Sequence, residues 1–536
     1  MNETNSNETA GMPEAAPAGM TRRRFIGRAV GGGAALTISS LPPAFAAAAG
    51  GNPGTPAGGS LVELTASELS SAIRARRVSC REVMDAYLAH IARINPKVNA
   101  IVTLQDRDGL LRQADARDAQ LAKGEYLGWM HGFPQAPKDL AATAGIVTTL
   151  GSPILKNNVP RTDAIVVERA RRSGAILVGK TNTPEFGLGS HTYNTVFGTT
   201  FNAYDQGKTA GGSSGGAAVA VALRMLPVAD GSDMMGSLRN PAAYNNVFGL
   251  RPSMGRVPFG PTNEVFYQQL GYEGPMARTV TDLAMLLSVQ AGYDERTPLS
   301  IKEDPAIFRG SLERDFKGAR IGWMGDFNGY LPMEAGVMDL SEAALKHFAA
   351  IGAKVEAVQP KFAMERLWKT WLTLRGFVIA GIAGGMYANP QLRRQMKPEA
   401  IWEIESGLKL SGADIYQASI DRSAWYEALR QLFQEHDYLV LPAAQVFPFD
   451  AALDWPKSIA GKPMDTYHRW MEVVAPGTLA GLPVISVPAG FGPTGLPMGL
   501  QIIGKAQGEL ALLQLAHAYE QVCGYTARRP ALLTAT

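Results

Sequence analysis

Between about residue 130 and residue 260 the chain alternates short apolar runs with glycine-rich turns. Ala175-Ile176-Leu177-Val178 and Leu226-Pro227-Val228-Ala229 read as short buried strands, with a helix of small residues, Ala217 to Leu226, between them. On either side the period changes. Thr65-Ala66-Ser67-Glu68 and Ser79-Cys80-Arg81-Glu82 read as capping boxes ahead of apolar residues at helical spacing, which predicts helices over 65–76 and 79–94. Residues 300–435 read as mostly helical and rich in Trp and Met. Strands return at 438–441, 483–488 and 498–503, before an amphipathic helix over 508–522. This alternation predicts an α/β fold around a buried sheet, in a chain long enough for one large domain or two smaller ones.

The N-terminus reads as a signal, not as structure. Thr21-Arg22-Arg23-Arg24-Phe25-Ile26 precedes a weakly apolar run, Ala29 to Leu41, which ends at Pro42-Pro43-Ala44-Phe45-Ala46. A basic segment, a short apolar segment and an A-x-A site make a signal peptide over 1–46, too short to span a membrane. Its paired arginines resemble the twin-arginine export signal, so a periplasmic or secreted location is expected. Residues 47–60 read as a flexible Gly/Pro/Ala linker. No later segment reads as long enough to cross a membrane, and no stable membrane insertion is expected of the mature chain.

Composition removes other classes. A net charge of +3, with no long basic run after the N-terminal segment, gives no support for nucleic-acid binding. Two cysteines, Cys80 and Cys523, allow a single bridge at most. Seven scattered histidines show no metal-ligand spacing, so neither metal nor cofactor is expected.

Three motifs mislead. Gly174 to Thr181 matches GxxxxGK[ST], yet its variable positions are the predicted strand and Asn182-Thr183-Pro184 blocks the helix a phosphate loop needs. Gly490 to Gly495 matches GxGxxG, but a strand follows it, which makes it a hairpin turn. Gly211-Gly212-Ser213-Ser214-Gly215 matches the GxSxG nucleophile elbow, which requires an entering strand; residues 205–210 are polar and irregular. A helix does follow, and His347, His436, His468 or His517 could supply a base, so an α/β-hydrolase using Ser213 remains the rival enzyme.

The same serines fit another pattern. Gly211 to Gly216, taken with Gly231-Ser232-Asp233-Met234-Met235-Gly236-Ser237-Leu238-Arg239, resembles the amidase signature family. Lys138-Asp139 and the block ending Val147-Thr148-Thr149-Leu150-Gly151-Ser152 resemble it too, as do Gly179 to Gly187, Gly249 to Val257, Gly274 to Val280 and Ala480 to Gly490. The resemblance runs in order from about 61 to 530. It implies that family's fold, a large mixed central β-sheet with helices on both faces, and a substrate pocket shaped by the variable region 300–435. It also implies a Ser–cis-Ser–Lys triad on Ser237, Ser213 and Lys138, with a cis peptide before Ser213. The separation of Ser213 and Ser237, 24 residues, is the family's usual one, so the resemblance marks Ser213 as the shuttle and leaves Ser214 as a supporting hydroxyl.

Those residue types suit amide cleavage. A serine hydroxyl attacks only when a base takes its proton, and lysine is such a base only when burial lowers its pKa toward neutrality. Ser213 can relay the proton. Backbone N–H groups of Met234, Met235, Gly236 and Ser237 are the implied oxyanion donors. The expected substrate is a small-molecule amide, with esters or carbamates open to the same chemistry, and an alkaline optimum follows. A homodimer is left open.

Two departures stand out. The family commonly has Thr-Gly-Gly-Ser where this chain has Met234-Met235-Gly236-Ser237, and the usual proline after Asn202 is Ala203. If Met235 keeps a glycine-like positive φ, it is strained. A third reading is therefore an exported binding protein that has lost catalysis. Asp233 and Arg239 read as a structural ion pair. Trp368, Trp371, Trp402 and Trp425 read as core or lid packing, with one or two lining the entrance. Export argues against a component of a tRNA-dependent amidotransferase.

Overall fold

A computed structural model describes residues 60–267 and 269–534. The signal segment 1–46, and all of the linker except Ser60, lie outside the described residues.

The architecture is α/β around an eight-stranded mixed sheet. Its strands are β1 (Ala229–Asp233), β2 (Phe248–Arg251), β3 (Tyr272–Ala277), β4 (Arg320–Trp323), β5 (Lys354–Ala357), β6 (Tyr438–Pro442), β7 (Val484–Phe491) and β8 (Pro497–Ile503). The order is β5-β4-β6-β8-β7-β2-β3-β1. Within this sheet, among the described residues, β4/β5 and β4/β6 are the parallel pairs and the other ladders are antiparallel. Alternation along β6 shows why the sheet is covered twice: Tyr438 and Val440 join one apolar cluster, Leu439 and Leu441 another. The first cluster holds the N-terminal helices and the small helix Gly215–Ala222; the second holds the Trp-rich helices after residue 363.

Several predicted elements are present. Thr65 and Ser79 both close reciprocal capping boxes, for the helices Ala66–Arg74 and Cys80–Val98. The second helix runs past Pro96, further than predicted. The GxGxxG segment is a hairpin, with β7 and β8 pairing through Phe491 and Pro497.

Others differ. The predicted strand at 226–229 starts only at Ala229 and continues into Gly231, Ser232 and Asp233. Ile176–Leu177 pairs with Pro134–Gln135 in a separate two-stranded sheet. Region 300–435, expected to be mostly helical, contributes the edge pair β4 and β5. The 25-residue helix Met364–Ala388 is long and apolar enough to cross a membrane, contrary to the sequence reading. It carries Arg366, Lys369 and Arg375, and it packs against the helices Pro398–Gly407 and Gly412–Glu435. Where Gly376 meets Gly407 the backbones touch: a Cβ on Gly407 would lie 2.1 Å from the Gly376 carbonyl oxygen.

Candidate active site

Lys138 is fixed from both directions. Its backbone bridges Thr181, and its N–H donates to Asp230 Oδ2 at 3.0 Å. The side chain is 1% exposed, and Nζ lies 2.7 Å from Ser213 Oγ, 2.8 Å from Ser214 Oγ and 3.0 Å from Ser232 Oγ. Burial pushes this amine down to about 7, against the opposing pull of Asp233, Asp230 and Glu273. Lys180 is buried too, but it donates to the Ala141 carbonyl at 2.6 Å and Thr143 Oγ1 at 2.5 Å, away from the serines.

The glycine run brings Ser213 to Lys138. Ser190 Oγ donates to the Gly212 carbonyl at 2.6 Å, and the Gly212–Ser213 peptide is cis. The helix Gly215–Ala222 then starts so close to its neighbours that a Cβ on Gly216 would lie 2.4 Å from the Asn182 nitrogen. Only glycine permits that approach.

Residues 233–237 form the next wall. Asp233 receives Arg239 Nε at 2.9 Å and Nη2 at 3.0 Å, with all three partners of the cluster, Asp233, Arg239 and Arg251, fully buried. Burial alone would raise this carboxyl; the Arg239 and Arg251 guanidiniums hold it at about 2. Arg239 extends the clamp to the Val474 carbonyl, Thr478 Oγ1 and Gln501 Oε1. The expected ion pair is thus a buried network.

This clamp corrects one expectation. The Gly236 N–H, implied as an oxyanion donor, donates instead to Asp233 Oδ1 at 2.8 Å. Among the described hydrogen bonds, the N–H groups of Met234, Met235 and Ser237 have no acceptor. Positive φ falls on Gly236, at +76°, and neither methionine is strained. Met235 is 2% exposed in the second apolar cluster, while Met234 is only partly buried.

Ser213, Ser237, Lys138 and both methionines line one cavity of about 270 Å³. Ser237 is 6% exposed, and among the described hydrogen bonds none joins its hydroxyl to Ser213. Such contacts are often long without substrate. Leu140, Phe186, Leu188, Ile379 and Met386 make most of the remaining wall apolar. None of the four tryptophans lines it: Trp368, Trp371 and Trp425 are buried in the core and Trp402 is 39% exposed. The sequence reading missed Glu273, a lone acid in the buried strand β3 that burial pushes up to about 8. It also missed Arg375, a single charge inside an apolar helical run. For each, the signal was an isolated charge where only apolar residues surround it.

The GxSxG reading loses its histidines. His347 bonds Tyr525 Oη, His436 faces Glu356 and His517 faces Glu313, all away from the cavity. His468 does line it, without a hydrogen bond to either serine. No strand enters at 205–210.

Fold and cavity together define an α/β enzyme with a lysine-centred, serine-rich pocket. The amidase family model matches residues 82–513, and the chain belongs to that family. It is 34% identical over 493 residues to a glutamyl-tRNA(Gln) amidotransferase subunit from Nitrosococcus oceani, covering 87% of this chain and 98% of that protein. It is 32% identical over 474 residues to an acylamidase of Rhodococcus erythropolis, covering 87% and 97%. Among solved structures it is similar to a bacterial aryl acylamidase of the amidase signature family, with TM-score 0.80, 30% identity and coverage of 87% and 99%.

Proposed function

We propose that this chain hydrolyses the C–N bond of a small apolar amide through a Ser237 acyl-enzyme. The observation that carries the reading is Lys138 Nζ, buried and near neutrality, 2.7 Å from Ser213 Oγ at the cavity that Ser237 shares. Ser237 attacks the carbonyl carbon while its proton passes to Ser213 and the Ser213 proton passes to Lys138. The N–H groups of Met234, Met235 and Ser237 are the donors left for the oxyanion. Collapse breaks the C–N bond, and the amine leaves with a proton returned from Lys138 through Ser213. Water, deprotonated by the same route, then releases the acid. Esters and carbamates follow the same steps. Ser214, held at 2.8 Å, keeps the lysine aligned.

We propose also that residues 1–46 direct export to the periplasm or beyond. Labelling with a fluorophosphonate followed by peptide mapping tests the chemistry: Ser237 modified supports it, and Ser213 modified or no label overturns it. Likeness to amidotransferase subunits favours a second reading, in which the chain works only in an assembly. Amide hydrolysis by the purified chain alone rules that reading out.

A further inference from the structure

Beyond Lys138, Ser237 and the serines and carboxylates already described around them, the cavity wall carries two polar side chains among the described residues: Arg375 and His468. Arg375 is 4% exposed and already balanced. It is ion-paired to Glu403, Nη2 donates to Tyr467 Oη at 2.8 Å, and Tyr467 Oη donates to Glu403 Oε1 at 2.7 Å. Among the described hydrogen bonds its remaining Nη1 has only the Met234 sulfur, at 3.5 Å, a weak acceptor.

His468 is not balanced. It is 1% exposed, stacked on Tyr467 with ring centroids 4.6 Å apart, and flanked by Trp368 and Trp402. Among the described residues neither ring nitrogen has a hydrogen-bond partner, and the indole N–H groups of the adjacent Trp368 and Trp371 have none either. An unpaired buried polar group is costly, and such groups in folded proteins call for an explanation. Burial, then Arg375 and Arg469, push the imidazole well below its usual range, so it stays neutral with one donor and one acceptor.

Charge selects the ligand. Arg375 is neutralised by Glu403 and Arg469 by Glu472, so an anion or a cation here would be buried without a free counter-charge. A neutral carbonyl group pairs with the imidazole N–H at no such cost. We propose that His468 recognises a neutral carbonyl-bearing group of the substrate, such as a second amide, distinct from the scissile bond, with Arg375 Nη1 beside Met234 as a second donor. The proposal rests on the amidase reading for its substrate class.

The test separates binding from turnover. Three anilides are compared whose acyl chains end in a carboxamide, an alkyl group of matched size or a carboxylate. Their affinities are measured by calorimetry on the full chain carrying Ser237→Ala, with and without His468→Phe or His468→Gln. The carboxamide should bind about tenfold more tightly than the alkyl ligand, the worth of one good hydrogen bond. That preference should vanish with phenylalanine and return with glutamine, whereas a merely structural role would weaken all three ligands together. Should the phenylalanine variant not fold, His468→Leu carries the same expectation. Equal affinities, a preference that survives His468→Phe, tightest binding of the carboxylate, or no binding at all overturns the proposal. Aniline release by the unmutated protein reports separately: no release with the carboxamide preference intact overturns the amidase reading and upholds the subsite.

Discussion

At the residue scale, the decisive quantity is the fraction of Lys138 that is neutral. With its amine at about 7, the competent form is lost as pH falls below that value and complete above it. The rate kcat/KM on an amide should therefore climb about tenfold per unit below pH 7 and level off on the alkaline side. A profile that peaks in acid and fades by neutrality would contradict the assignment. Lys138→Ala should lower kcat/KM by about 10²–10⁴ while circular dichroism shows an unchanged fold; near-normal turnover sinks the triad. The two methionines divide their roles by burial. Met235 is packed among core residues, so Met235→Ala should cost about 2–5 kcal/mol in chemical denaturation. Met234 is half-buried against the cavity, so Met234→Ala should shift kcat/KM toward bulkier acyl groups by about tenfold, a methionine's worth of packing. Equal losses on short and bulky substrates would assign Met234 to loop support instead.

At the element scale, the helix pair that carries Arg375 and Glu403 is the sensitive joint. Gly407 has no room for a side chain against the Gly376 carbonyl, so Gly407→Ala must push two helices apart. Overpacking of this kind costs about 1–3 kcal/mol, and the expected outcome is a lower Tm together with a raised KM. An unchanged Tm would show that the crossing has slack. Local signals made other elements readable: Thr65 and Ser79 announce their helices because a capping box needs only four residues. The sheet edges were harder. Ala229-Asp230-Gly231-Ser232-Asp233 contains poor strand formers and is extended because β3 pairs with all five. Arg320–Trp323 and Lys354–Ala357 are short and mixed in polarity, and parallel pairing across distant sequence makes them strands. The lysine and serines were legible because their glycine-rich surroundings form an ordered pattern. Glu273 and Arg375 were not, and His468 was read only as a possible base, since each is a single residue whose meaning comes only from what folding brings beside it.

At the scale of the whole molecule, the export proposal makes a cellular prediction. Replacing Arg22 and Arg23 together by lysine should leave the precursor in the cytoplasmic fraction, because that route reads the arginine pair; unchanged periplasmic appearance would contradict it. The clamp on the loop 233–237 bears on the same journey. Arg239 holds Asp233, and with it the loop, but is itself held by the Val474 carbonyl, Thr478 and Gln501. Those partners emerge from the ribosome more than two hundred residues after the loop they steady. A nascent or C-terminally shortened chain can contain every side chain of the proposed triad and still have no finished mould for the reaction. Hydrolytic competence is thereby deferred to the end of synthesis, and on the export proposal the enzyme leaves the compartment of its manufacture only in the form that the last strand completes.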